Sequence, residues 1–520
     1  MLVQDFLEHS ASLYTQKTAV VCDQRRVSYL DVELRANRFA NALIAGGVRR
    51  GDRIVICLEN CCQAAISVFG TLKAGAVFVV LDQTIKAERL HYILKDCGAA
   101  AIVISADKFE NVREAVETSP YLQAIYLHGL EQAGQCAGRL PCLSLDLVLL
   151  GPGFVESAPP RKSIDADLAA LIYTSGTSGR PKGVMLTHLN VCSASKSVVS
   201  YLQNSSNDVI LSNLRLSYSY GLYQALTGFL AGATVVLEPS NTSVHLLLKQ
   251  IESEKVTAFP IVPTTAALLL KHDLEEFDLS SLRYITCAGA TLPRSHIRAL
   301  RRKLPHAKLF VMYGQTECKR VSYLPPEQLD VRPDSVGIPI PNEEVFIVDE
   351  AGRPVDTGVV GELVVRGSHV MRGYWGLPEE SKRVLRPGPV PGERLLYTGD
   401  LFRIDGGGYL YFVGRKDDMI KTRGERVSPK EIEDALHGIE GILEAAVVGV
   451  PDEILGQSIL AVVTLRREFS ISAQEILRHC ASHLEDYKVP QRVEFRNSLP
   501  KTDRGKIDHR TLKVQIESTM

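Results

Sequence analysis

The chain has 520 residues, 45% of them apolar and 23% charged, with a formal net charge of −1. That length accommodates two or more domains around a large core, and the composition is globular rather than disordered or fibrous. The neutral charge balance argues against a general nucleic-acid or membrane-surface role. Eleven cysteines are scattered without a C-x-x-C pair, so they read as reduced core or surface thiols rather than a metal or disulfide framework. The N-terminus lacks the basic flank and apolar stretch of a signal peptide. The apolar run 64–81 contains Lys73 and Gly75 and reads as helix, turn and strand, not as a membrane span. A cytoplasmic enzyme is the default expectation.

In chain order, Ser28 and Asp31 open a helix with Val32, Ala36, Phe39, Ala40 and Leu43 on one face, and Gly46 and Gly47 end it. Runs 53–58, 76–81 and 99–105 read as buried strands, and the rhythm returns at 233–237, 256–262, 282–286 and 308–312. Strands separated by helical patterns imply βαβ units and parallel sheets. Residues 345–366 hold closely spaced strands, with turns at Glu350 to Gly352 and at Thr357 and Gly358, which predicts an antiparallel subdomain. Near residue 414 the pattern restarts on a smaller scale. Ser428 with Glu431, and Ser472 with Glu475, are predicted capping boxes, the first with Pro429 at the first helical position. The expected architecture is α/β. A large domain over 1–414 combines parallel βαβ sheets with a small antiparallel β subdomain, 415–417 form a hinge, and 418–520 form a small mobile α+β domain.

Residues 171–183 carry the most chemistry. A β-run feeds a loop in which Gly176, Gly179 and Gly183 let the backbone approach an anion closely. Thr174, Ser175, Thr177 and Ser178 add hydroxyl donors, and Lys182 adds a point charge. Gly183 follows Lys182 where a Walker loop requires Ser or Thr, so a standard P-loop NTPase is disfavoured. A plain Ser/Gly turn has no need of so many hydroxyls beside a lysine.

With the segments that follow it, this loop resembles the phosphate-binding loop of the AMP-binding superfamily of adenylate-forming enzymes. The resemblance covers essentially the whole chain. Tyr313-Gly-Gln-Thr-Glu317 is similar to the Y-G-x-T-E motif, and Tyr397-Thr-Gly-Asp400 to the T-G-D motif. Gly414, Arg415 and Asp417, then Lys421 and Gly424, are similar to the hinge and the glycine loop after it, and Pro500 to Lys506 to the C-terminal lysine motif. The resemblance implies ATP-dependent activation of a carboxylic acid to acyl-AMP, then acyl transfer to a phosphopantetheine thiol. By the same resemblance Glu317 and Thr174 would serve catalysis and hold Mg2+, which prefers one or two carboxylates plus phosphate and water. Gly289, Ala290 and Thr291 would line the adenine edge, Tyr313 would stack on the base, and Gly314 and Thr316 would complete the nucleotide pocket. Asp400 would accept both ribose hydroxyls, and Arg415 would reach ribose or phosphate. Lys506 would bridge the attacking carboxylate and the α-phosphate. Asp417 would be the hinge, and Gly424 would sit at the thiol tunnel.

The run 211–224 is similar to the family's acyl-pocket entry, with Tyr218, Ser219 and Gly221 as pocket residues. Ser219 stands where amino-acid-activating relatives carry an aspartate for the substrate's α-ammonium. Without that carboxylate the ammonium would be buried unpaired, at a cost of several kcal/mol. An ordinary α-amino acid is therefore disfavoured, and fatty, short-chain, hydroxy or aryl acids stay open. Coenzyme A is the favoured acceptor because free-standing members most often use it. A carrier protein's phosphopantetheine arm is the alternative, with the basic run 298–303 as a candidate docking patch. The expected partners are thus a small carboxylic acid, ATP or AMP and an acyl carrier protein at most, with no nucleic acid and no membrane span, in a monomer or homodimer. A non-catalytic nucleotide binder is disfavoured because Lys506, Glu317, Asp400 and Lys182 are all present. A luciferase-like oxidative activity is compatible with the motifs but rare.

Overall fold

The computed structural model describes residues 1–23, 25–130, 140–151, 153, 155–175, 180–423, 425–452, 454–502 and 506–518. Among these, the first three-quarters of the chain builds two large sheets with parallel centres. One runs Lys308–Tyr313, Tyr284–Cys287, Ala258–Ile261, Val209–Ser212, Thr234–Leu237 and Thr18–Cys22 in parallel, with Ser322–Leu324 then Ile338–Pro339 added antiparallel at one side and Arg25–Ser28 at the other. The other places Leu168–Ser175 beside Val77–Val80, Arg53–Cys57, Ala99–Ser105, Ala124–His128 and Cys142–Ser144 in parallel, with Pro181–Thr187 and Gly373–Tyr374 antiparallel at its edge.

The central strands are apolar on both faces because each face has its own cover. In Arg53–Cys57, Ile54 and Ile56 enter a cluster shared with the other large sheet, while Val55 and Cys57 enter an outer one. In Thr18–Cys22, Val20 joins the shared cluster and Val21 an outer one. Period-two alternation between two apolar layers produces the continuous hydrophobic runs seen in the sequence.

The shared layer holds the helices Tyr29–Ala45, Cys62–Lys73 and Ser219–Ala231. Gly70 permits the first two to cross closely, since a Cβ there would stand 2.7 Å from Phe39 Cδ1 and 2.9 Å from the Ala36 carbonyl. Lys73, its side chain 1% exposed, is held at 2.7 Å by both Glu8 and Glu33. The apolar run around it is thus a core helix. No described helix is long and apolar enough to cross a membrane.

A third, antiparallel sheet joins Glu343–Val348, Gly361–Gly367, Arg394–Ile404 and Leu385–Pro387, with Leu410–Arg415 on the far side of Arg394–Ile404. After the turn 416–418, a fourth sheet is built from Ile420–Thr422, Glu425–Val427, Ile442–Asp452, Gly456–Leu465 and Arg492–Phe495, with its own apolar cluster.

Two expectations need correction. Ser428 caps Pro429–His437 by position only. Its hydroxyl donates to the Val413 carbonyl instead, and Glu431 pairs with Lys488 at 2.6 Å. The capping box at Ser472 and Glu475 forms as expected. Nine described cysteines are free thiols, but Cys142, half-buried on an edge strand, is disulfide-bonded.

Burial pushes both His188 and His369 down to about 4. His188 is neutral and accepts at Nδ1 from the Val3 amide at 3.1 Å. An unfolded histidine titrates near 6.5, so the unfolded chain takes up protons at a higher pH than the folded one. The stability held by the neutral His188 ring is complete above about pH 6.5 and is lost as pH falls toward 4, of order 3 kcal/mol, whereas His369 lies 2.7 Å from the buried Glu343 carboxyl, whose raised pKa offsets its own effect over the same range. Denaturant midpoints should fall over that window. His188→Asn, which keeps an acceptor toward Val3, should flatten the fall; an unchanged slope would remove His188 from the account.

Candidate active site

In the sheet containing Tyr284–Cys287 and Lys308–Tyr313, parallel register places the two carboxyl ends on the same edge. The segment 288–291 leaves from one end and 314–320 from the other. The carboxyl edge of a parallel sheet is where an open α/β fold leaves a crevice for ligands.

The centre of this edge is the buried Asp400 carboxylate. Tyr313 Oη donates to Oδ2 at 2.5 Å, Gln315 Nε2 donates to Oδ2 at 2.7 Å, and Arg415 Nε donates to Oδ1 at 2.7 Å. Asp400 and Arg415 are direct cross-strand partners in the antiparallel sheet. The Tyr313 ring packs edge-on against Phe402 at 4.8 Å and near-parallel to Phe412 at 6.3 Å. Burial, then the neighbouring Asp400, holds its hydroxyl protonated far above the usual range. A carboxylate offers about four lone-pair sites, so three donors leave little spare capacity on Asp400.

A second line of groups runs from the hairpin Leu168–Ser175 and Pro181–Thr187, in which Thr174 faces Lys182. Lys182 Nζ lies 2.7 Å from Glu380 Oε2 and 5.3 Å from the Tyr374 ring centroid. The lysine holds the Glu380 carboxyl below its usual range. Tyr374 Oη in turn donates to Glu317 Oε1 at 2.9 Å, and the Glu317 carbonyl accepts from the Met371 amide at 2.7 Å. Thr316 is buried beside Glu317. Gly176, Thr177, Ser178 and Gly179, the side chain of Ser175, and Gly424 lie outside the described residues.

The third group flanks the helix Ser219–Ala231. Tyr218 is its N-cap, and Gly221 is required because a Cβ there would collide with the Arg215 carbonyl. The Ser219 carbonyl accepts from Lys319 Nζ at 2.8 Å, and Tyr220 Oη bonds Thr286 Oγ1 at 2.8 Å.

Lys506 approaches from the C-terminal unit. Thr502 donates its amide to the Lys506 carbonyl at 2.7 Å, and a bridge joins Lys501 to Ile507. A Cβ on Gly289 would stand 3.9 Å from Lys506 Cε, so the lysine stem lies against the exposed stretch Gly289, Ala290 and Thr291. Asp417 is exposed in the turn 416–418, where the Lys416 amide donates to the Gly399 carbonyl at 2.9 Å. The basic run 298–303 lies on the helix Arg294–Lys303, where Arg301 pairs with Asp330.

Residues 7–375 match the family model of the AMP-binding enzyme, and 431–506 that of the AMP-binding enzyme C-terminal domain. The chain belongs to the AMP-binding enzyme family. It is 34% identical to a feruloyl-CoA synthase of Amycolatopsis, covering 96% of this chain and 95% of that one. It is 31% identical to the long-chain-fatty-acid–CoA ligase of Salmonella typhimurium, covering 98% and 93%. Among solved structures, ATP-bound MatB from Rhodopseudomonas palustris is similar over the full length of both chains at 28% identity, with a TM-score of 0.87, while apo MatB gives 0.78. The chain is an AMP-forming acid–thiol ligase.

Within this AMP-binding enzyme, Tyr374, Glu380, Gln315, Lys319 and Arg320 contact the predicted residues but escaped the sequence reading. Gln315 is the unspecified position of its motif, Tyr374 reaches the site through the edge strand Gly373–Tyr374, and Glu380 through the helix Pro378–Val384 that follows it. A visible signal existed for Lys319 and Arg320, two cations set in an otherwise apolar run after Glu317.

Gly314 joins these groups sterically. A Cβ there would collide with the Lys319 carbonyl and stand 2.9 Å from Arg320 Cα. Gly314→Ala should therefore cost about 1–3 kcal/mol as an overpacked contact, read as a lower denaturant midpoint at unchanged m-value. A midpoint equal to the parent's would show that the loop 314–320 yields freely.

Proposed function

We propose that this ligase condenses a carboxylic acid with ATP to acyl-AMP, releasing pyrophosphate, and then transfers the acyl group to the thiol of coenzyme A. The observation that carries this reading is the approach of Lys506, from the C-terminal unit, to the Gly289 loop at the sheet edge that also bears Asp400 and Glu317. The higher likeness to ATP-bound than to apo MatB supports the same disposition for adenylation.

In this reading the acid's carboxylate attacks the α-phosphorus in line and pyrophosphate leaves. Lys506 lies between two anions that would otherwise repel, and its charge is worth most where charge develops at phosphorus. Positioning falls to the nucleotide residues. Asp400 takes a ribose hydroxyl on its remaining lone pair, and takes the second when Arg415 turns from it toward phosphate. Lys182 exchanges Glu380 for phosphate oxygens. That exchange is favoured because the partly exposed Glu380 offers one negative charge, while a triphosphate offers several. Glu317, its Oε1 fixed by Tyr374, and Thr174 are suited to Mg2+, which would neutralise the leaving phosphates.

Thiol attack requires the opposite arrangement, with the lysine withdrawn and a path opened to the acyl carbonyl. The turn at Asp417, exposed between the third and fourth sheets, is suited to absorb the rotation that exchanges the Lys506 loop for the loop of Gly424.

Acid-dependent pyrophosphate release, measured over a panel of carboxylic acids with and without coenzyme A, tests the whole reading. Release with no acid of the panel would overturn it. Lys506→Ala should lower pyrophosphate release by about a hundredfold or more while leaving thioester formation from supplied acyl-AMP largely intact. Asp417→Pro should show the reverse, because proline fixes φ at the pivot. Tyr374→Phe should raise the Mg2+ concentration needed for half-maximal release, with kcat/KM down about tenfold at limiting Mg2+. Unchanged Mg2+ dependence would detach Tyr374 from Glu317.

A further inference from the structure

Lys319 and Arg320 are 5% and 3% exposed, and neither makes an ion pair among the described residues. Arg320 Nε is buried without a hydrogen-bond partner, and the guanidinium carbon lies 5.1 Å from the Tyr220 ring centroid. Lys319 Nζ reaches the Ser219 carbonyl and lies 4.3 Å from the Tyr223 ring centroid. Two adjacent cations are thus buried among tyrosines at the start of the helix that bears Ser219 and Gly221.

Burying a charge without a counter-charge costs several kcal/mol, so structural charges in protein interiors are paired. This chain follows that rule elsewhere. Buried Lys73 has two carboxylates at 2.7 Å, and Arg283 holds buried Asp208 at 2.9 Å. Lys319 and Arg320 depart from it at the acyl-pocket residues. Their placement also carries backbone cost, since Lys319 adopts φ +60°, a left-handed conformation disfavoured for a side-chain-bearing residue. The same tight loop, closed on Gly314, carries Glu317 toward the nucleotide groups and the two cations toward Ser219 and Tyr220.

We propose that Lys319 and Arg320 form an anion subsite in the acyl pocket that holds a second carboxylate of the substrate, so that the acids this ligase activates are dicarboxylic. This rests on the ligase reading above. The distal carboxylate would accept from the guanidinium, which matches carboxylate geometry in a bidentate fork, and from the Lys319 ammonium. The same two cations would repel an α-ammonium group, which disfavours amino acids independently of the missing aspartate at Ser219.

The test compares matched mono- and dicarboxylic acids with the full-length protein, MgATP and coenzyme A: butyrate with succinate, hexanoate with adipate, octanoate with suberate, benzoate with terephthalate. Pyrophosphate release and the thioester are both measured. At one or more lengths the dicarboxylic acid should exceed its partner in kcat/KM by about tenfold to a hundredfold, the range set by a charge-assisted hydrogen-bonded contact. Arg320→Met, similar in length but neutral, should invert that ratio chiefly through KM, and Arg320→Lys should restore it in part. Preference for the monocarboxylic partner in every pair, a comparison needing no variant to fold, would overturn the subsite and leave the ligase reading standing. Equal losses for both acids in Arg320→Met would overturn it too, by making the arginine merely structural. Pyrophosphate release with no acid of either set would overturn the ligase reading and the subsite with it.

Discussion

The Asp400 carboxylate is the interaction on which the arrangement of the site depends. It lies on a strand of the antiparallel sheet, yet two of its three donors, Tyr313 and Gln315, come from the end of a strand in a parallel sheet. Its third donor, Arg415, ends the last strand before the turn that leads to the C-terminal unit. One buried acceptor therefore couples two sheets and the base of the interdomain connection. Because the interior is poorly solvating, each donor that leaves it must be replaced.

The same economy explains why charged groups in this edge are either paired or directed at ligand. Lys182 rests on Glu380, and Glu317 is oriented by Tyr374. These are partly exposed contacts of small net worth, and they can be exchanged for substrate without unfolding anything. Lys319 and Arg320 have no such resting partner, and they are deeper. A fold that pairs Lys73 with two carboxylates has no difficulty supplying counter-charges, so their absence around this pair is informative about the ligand rather than about packing.

Much of the fold was legible because its periodicities are local. The runs 53–58, 99–105 and 308–312 became parallel strands, the turns near Gly352 and Gly358 separated antiparallel ones, and Ser28 and Ser472 capped their helices. Ser428 shows where local rules lose. Its hydroxyl had a capping site within reach, and a carbonyl of the preceding sheet, Val413, took it instead. Cys142 shows the same limit, since spacing alone does not reveal which sulfurs fold together.

The sequence by itself determined the order of the motifs and hence the chemistry: a hydroxyl-rich glycine loop, Tyr313 to Glu317, Asp400, Arg415 and Lys506, each a residue type suited to phosphate, ribose or carboxylate. Only the tertiary structure decided which of these groups meet. It placed Lys506 against Gly289, made Asp400 the shared acceptor of three donors, and brought Tyr374 into the site from an edge strand and Glu380 from the helix that follows it. It also left Lys319 and Arg320 buried without a counter-charge among the described residues. The reason is physical. A motif records which groups a reaction needs, but hydrogen bonds and desolvation are settled between segments hundreds of residues apart, where sequence periodicity carries no information.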